Sequence, residues 1–125
     1  MVVILVVYTS RTGNVRRFVQ RLGMPSVEIR GGVWVNSPFL LITPTIGFGQ
    51  VPGIVDGFLT RNKRFLVGVA SSGNKNWGSN FAKAGELVAK KYEVPLLHKF
   101  ELSGTRADVE ILLKRVGPLE THRVK

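Results

Sequence analysis

Three stretches of this chain hold residue types that could do chemistry, and each follows an apolar run. Thr9-Ser-Arg-Thr-Gly-Asn14 follows Met1–Tyr8, Pro44-Thr-Ile-Gly-Phe-Gly-Gln50 follows Phe39–Thr43, and Ser71-Ser-Gly-Asn-Lys-Asn-Trp-Gly78 follows Phe65–Ala70. The first sets hydroxyls, an amide and a glycine directly ahead of a helix-like segment. Such a turn offers free backbone N–H groups, hydroxyl donors and the positive end of a helix dipole, which together seat an anion. The other two stretches carry Phe48 and Trp77 among glycines. A phosphate seat flanked by two such loops suits a phosphorylated aromatic ligand.

The common nucleotide fingerprints do not match. A P-loop needs Gly-x4-Gly-Lys-Ser/Thr, and the dinucleotide loop needs Gly-x-Gly-x-x-Gly straight after the first strand. The first loop has only Gly13, and Gly47-Phe48-Gly49 is an isolated fragment.

The elements that must position these loops follow from periodicity. Short continuous apolar runs read as parallel strands covered on both faces. Besides the three runs above, strand candidates are Ser26–Ile29, a brief extended piece at Val33–Val35, and Val94–Leu102. Helical spacing marks Asn14–Leu22, stopped by Gly23-Met-Pro25, and Val51–Asn62, weakened by Gly53 and Gly57. It also marks Phe81–Tyr92 and a last helix capped by Thr105, running to Val116 and ended by Gly117-Pro118. Strands alternating with helices predict a doubly wound α/β domain with about five parallel strands. One domain is expected over residues 1–118, with 119–125 as a frayed basic tail. In such a sheet the three loops lie outside the carboxyl ends of the strands and converge on one site.

Bulk composition excludes other classes. The 125 residues are 44% hydrophobic and 21% charged, as in an ordinary globular protein. No apolar run approaches the roughly 20 residues of a membrane span. The N-terminus lacks the order of a secretory signal, so a cytoplasmic location and no membrane association are expected. With no cysteine, thiol redox chemistry and cysteine-ligated clusters are excluded. Electron transfer would need an organic cofactor. Lys+Arg 18 against Asp+Glu 8 gives a net charge of +10. Nucleic acid, an acidic protein partner, or a plain surface bias would each account for it.

Ser10-x-Thr12-Gly13-Asn14 after the first strand resembles the phosphate loop of flavodoxin-like proteins, which bind flavin mononucleotide (FMN). Further stretches narrow the resemblance. They are Thr43-x-Thr45-x-Gly47-Phe48-Gly49-x-Val51-Pro52, Ala70-Ser-x-Gly-Asn-x-Asn-Trp-Gly78, Lys90-Lys-Tyr-Glu-Val-Pro95 and Lys99-Phe-Glu-Leu-x-Gly-Thr105. They resemble the NrdI family, flavodoxin-like activators of class Ib ribonucleotide reductase, from Leu5 to about Val116. The resemblance implies a flavodoxin-like five-stranded fold, non-covalent FMN, an external flavin reductant, and delivery of a superoxide or peroxide-level oxidant. The receiver would be the NrdF-type small reductase subunit, whose dimanganese–tyrosyl radical cofactor is thereby assembled.

Roles then attach to residues. Ser10, Thr12 and Asn14 donate to the phosphate, Gly13 permits close approach, and Arg11 contributes its backbone N–H while its side chain stays exposed. Thr45, Gly47, Phe48 and Gly49 form the second cofactor loop, with the Gly47–Gly49 peptide facing the flavin N5 edge and free to reorient on reduction. Ser72, Gly73, Asn74, Asn76, Trp77 and Gly78 form the third. Trp77 lies against the ring system or its rim, and Asn74 and Asn76 either bond the pyrimidine edge or shape the turn. No acidic residue occurs between Glu28 and Asp56, so two-electron reduction should be accessible. Pro44 carries no assigned role. Tyr8 reads as a core residue, Trp34 as structural or a surface contact, and His98 and His122 have no metal-spaced companion. No catalytic side chain and no metal ligand is expected. A general electron-carrier flavodoxin and a cofactor-free basic nucleic-acid module are the alternative readings.

Overall fold

The computed structural model describes residues 3–123, with side chains as far as Glu120. Five strands pair in parallel in the order β2-β1-β3-β4-β5: β1 Leu5–Tyr8, β2 Ser26–Glu28, β3 Phe39–Pro44, β4 Leu66–Gly73 and β5 Leu96–Glu101. Four α-helices connect and cover them: α1 Asn14–Leu22, α2 Gly53–Asn62, α3 Lys83–Tyr92 and α4 Arg106–Arg123.

Alternation along the strands divides the core in two. Val6, Leu40 and Ile42 face α1 and α4, meeting Val15, Phe18, Val109 and Leu112. Val7, Phe39 and Leu41 face the other way, meeting Val55, Phe58, Leu59 and Val88 of α2 and α3. Both faces of β3 are therefore buried, which explains its unbroken apolar run. Phe18 stacks on Phe100 with centroids 3.9 Å apart, joining α1 to β5.

Helix α1 has the predicted limits, since Gly23 takes the left-handed conformation (φ 69°) and ends it. Thr105 and Asp108 cap α4 reciprocally: the Asp108 N–H donates to Thr105 Oγ1 (3.2 Å) and the Thr105 N–H to Asp108 Oδ2 (2.7 Å).

The ends of α2, β2, β3 and β5 and the start of β4 shift slightly from the expected bounds, and larger departures occur elsewhere. Strand β1 begins at Leu5 rather than at the chain start, and Met1 and Val2 lie outside the described residues. Val33–Val35 is not a strand; the buried Asn62 holds it instead, accepting from the Val35 N–H (2.9 Å) and donating to the Val33 carbonyl (3.3 Å). Strand β4 continues through Ser71, Ser72 and Gly73, which were expected to be loop, because both hydroxyls find backbone carbonyl acceptors. Ser71 Oγ donates to the Ala82 carbonyl (2.7 Å) and Ser72 Oγ to the Leu102 carbonyl (2.6 Å). Helix α3 starts at Lys83 rather than Phe81, after a 3₁₀ segment over Lys75–Asn80 and a left-handed Ala82 (φ 51°). Finally, α4 runs through Gly117-Pro118 to Arg123 rather than fraying at 119. Val116 is buried and Leu119 packs on the same core, so burial outweighs the one hydrogen bond that Pro118 removes. The side chain of His122 lies outside the described residues. Among those residues no helix is long and apolar enough to cross a membrane.

Candidate functional site

The carboxyl ends of β1, β3 and β4 deliver their loops to one cleft of about 280 Å³. From the first loop Ser10, Arg11, Thr12 and Asn14 line it; from the second Thr45, Gly47 and Gly49; from the third Ser72, Gly73, Asn74 and Trp77. These were all expected there. Four expected residues stand off the lining. Gly13 is the left-handed hinge (φ 91°) at the head of α1, and Asn76 and Gly78 belong to the 3₁₀ turn behind the cleft wall. Phe48 is 78% exposed at the loop tip and meets Trp77 edge-on, at 5.7 Å and 77°.

The first loop runs straight into α1 and brings hydroxyl and amide groups to the cleft. The N-cap Gly13 has no side chain to cap α1, so the leading amides of the helix, ahead of Arg16, face the loop. Ser10 Oγ accepts from the Arg16 N–H (3.2 Å), folding the loop over the helix start. Asn14 Nδ2 donates to Thr12 Oγ1 (3.2 Å). Its Oδ1 accepts from Arg17 and from Ser103 Oγ, both at 2.7 Å.

The second loop is a tight turn closed by Ile46 and Gln50, whose N–H groups donate to each other's carbonyls at 3.0 and 2.7 Å. Gly47 (φ 53°) and Gly49 (φ 100°) supply the left-handed backbone that such closure requires. Gly49 is also hemmed in, since a Cβ there would come within 3.1 Å of Asn80 and Lys83. Thr45 Oγ1 accepts from the Ala84 N–H (3.2 Å), tying this loop to the start of α3. In the third loop Asn74 Oδ1 accepts from the Asn76 N–H (2.9 Å) and the Asn74 carbonyl from the Trp77 N–H (3.0 Å). Asn74 thus shapes the turn that presents Trp77 while also lining the cleft.

No carboxylate lines the cleft among the described residues, and Arg11 is its lining cation. The nearby acids are engaged elsewhere. Glu28 pairs with Arg16 (2.9 Å), whose pKa this hydrogen bond holds above its ordinary value. Glu101 Oε2 accepts from the Lys75 N–H (3.1 Å).

Several lining residues had no site role assigned from the sequence. Leu102 enters because it adopts a left-handed conformation (φ 54°) and is pinned to β4, donating its N–H to the Gly73 carbonyl (2.9 Å). Asn80 arrives through the 3₁₀ turn, and Val15, Pro44 and Ile46 through backbone adjacency to expected residues. Tyr8 packs against the core, as expected. Trp34 is 68% exposed, with the Arg61 guanidinium 5.8 Å above its ring. His98 pairs with Asp108 at 2.7 Å.

A parallel sheet in the order 2-1-3-4-5, with its ligand-sized cleft at the β1/β3 switch point, defines a flavodoxin-like protein. Solved structures of flavodoxins agree. A short-chain flavodoxin associated with a non-canonical PDU bacterial microcompartment superposes with a TM-score of 0.71 at 20% identity, covering all of both chains. A Fusobacterium nucleatum flavodoxin bound to flavin mononucleotide gives 0.56 at 15% identity, covering 99% of this chain and 98% of that one. A family model described as "NrdI Flavodoxin like" matches residues 6–114. Protein NrdI of Bacillus licheniformis is 47% identical over 119 residues, covering 94% of this chain and 91% of that protein. The chain belongs to the NrdI flavodoxin-like family.

Proposed function

We propose that this protein holds FMN non-covalently in the cleft and uses it to supply an oxidant to the small subunit of a class Ib ribonucleotide reductase. One observation carries the reading: three loops distant in sequence form a single cleft that gathers Ser10, Thr12 and Asn14 with Trp77. The donor set fits the cofactor. Ser10, Thr12 and the first-turn amides of α1 would take the phosphate, with Arg11 offering its backbone N–H. The Thr45–Gly49 loop and Trp77 would flank the ring system, and Asn74 would reach its polar edge. Aromatic packing against Trp77 suits a flat ring.

When bound and reduced, the flavin supplies electrons that convert dioxygen to superoxide or a peroxide-level oxidant. The residues present orient and tune it. With no carboxylate on the cleft wall, negative charge on the ring system meets no like charge. The Gly49 N–H is held by the Ile46 carbonyl (3.2 Å), so the Gly47–Phe48 peptide, next to the left-handed Gly47, is the one that would reorient. The net charge of +10 favours encounter with an acidic partner surface.

The test is to reduce the FMN-loaded protein chemically, expose it to oxygen, and add a manganese-loaded NrdF-type subunit. Oxygen consumption with appearance of the partner's tyrosyl radical is expected. Reduction and reoxidation without radical formation in the partner would contradict the activator role and favour a general electron carrier.

A further inference from the structure

Behind the first loop lies a bonded cluster of Arg17, Ser103 and Arg21, which meets the cleft lining through Asn14 and through Leu102, the residue before Ser103. Arg17 sits one turn into α1 and reaches back: its Nη2 donates to Asn14 Oδ1 (2.7 Å) and its Nε to Ser103 Oγ (3.1 Å). Ser103 Oγ donates in turn to the same Asn14 oxygen (2.7 Å). The guanidinium also lies against Gly13, where a Cβ would come within 2.8 Å of Nη1. Arg21 adds a second anchor, donating to the carbonyls of Ser103 and of Gly104.

Two consequences follow. First, the Asn14 carboxamide is oriented from behind: its oxygen is occupied by Arg17 and Ser103, so its nitrogen must face Thr12. Second, the turn that holds Ser103 is the one whose Leu102 is fixed to Ser72 and Gly73 at the end of β4. The first and third loops are thus braced against each other through a turn remote from both in sequence.

We infer that Arg17, with Ser103, is a positioning residue for a phosphate monoester in the first loop. Arg17 sets the loop's donors through Asn14 and places a cation behind Gly13. The inference rests on the FMN reading of the cleft but extends it to residues outside the lining. Its mark is selectivity, since Arg17 acts on the phosphate end and not on the ring end.

The experiment compares FMN with riboflavin, which lacks the phosphate, on wild-type protein, Arg17→Gln and Ser103→Ala, at two salt concentrations. Charge-assisted hydrogen bonds are the strong ones, so R17Q should weaken FMN about tenfold and leave riboflavin within about twofold. Its FMN affinity should also depend less on salt. S103A keeps the charge and loses part of the fork, so a selective loss of about threefold is expected. If R17Q does not fold, S103A decides: equal loss for the two flavins, or no loss, overturns the inference. Equal loss in a folded R17Q overturns it as well. Wild-type protein that takes up neither flavin would instead defeat the reading of the cleft itself.

Discussion

Phe48 and Trp77 allow a sharp test of how the cleft holds a ring. Trp77 lines the cleft at 49% exposure, whereas Phe48 is 78% exposed, stands off the lining and meets Trp77 edge to face at 5.7 Å. Phe48 should therefore act through Trp77. Stacking of a flat heterocycle on an aromatic side chain contributes about 1–3 kcal/mol, so Trp77→Ala should weaken FMN by roughly five- to 150-fold. An edge-to-face pair adds about 0.5–1.5 kcal/mol, and the exposure of Phe48 argues for the lower half of that range. Phe48→Ala should then cost about two- to fivefold. In the W77A background the same change should cost almost nothing, because the residue it orients is gone. The assay is a double-mutant cycle on FMN affinity, read from the quenching of flavin fluorescence. Both side chains are exposed, so the unfolding free energies of the flavin-free variants, read from urea denaturation, should change by less than about 0.5 kcal/mol. If F48A weakens FMN as much in W77A as in wild-type protein, Phe48 contacts the ligand directly and the argument fails.

Other consequences can be checked alongside. A Cβ at Gly73 would overlap the Ala82 amide nitrogen and sit 2.9 Å from its Cα, both backbone atoms. Gly73→Ala should destabilise by about 2–4 kcal/mol in urea unfolding and release flavin by displacing the third loop. Burial works to raise the Asp108 pKa, but hydrogen bonds from His98 and Thr105 outweigh it and hold the carboxyl below its usual range. A depressed carboxylate stabilises above its unfolded pKa, and this contribution disappears as pH falls from about 4 through the lower folded value. Asp108→Asn should flatten that acid limb of a thermal-melt profile and cost about 1 kcal/mol of capping at neutral pH. Trp34 lines no part of the cleft, so Trp34→Ala should leave FMN affinity within about twofold, as expected for a remote surface substitution.

What was legible in the chain was whatever local physics decides alone. Apolar runs bounded by Gly and Pro located β3 and the cores of β1 and β4. Helical spacing closed by Gly23 marked α1, and the Thr105 hydroxyl marked the start of α4. The three-loop convergence followed from topology once the elements alternated. What stayed hidden depends on distant partners. Ser71 and Ser72 look like loop residues until Ala82 and Leu102 supply their acceptors. Pro118 looks like a stop until Leu119 finds the core. Leu102 enters the cleft through a left-handed backbone that its side chain does not advertise. Nothing in the sequence singles out Arg17, because its partner Ser103 lies 86 positions away.

The central claim is that the three-loop cleft is an FMN site, and one measurement addresses it most directly. Purified protein is incubated with FMN, passed through gel filtration, and its visible spectrum recorded. One tightly held flavin per chain is expected, with a perturbed absorption band that R17Q weakens and riboflavin does not fully reproduce. A colourless protein peak after saturation with FMN would contradict it.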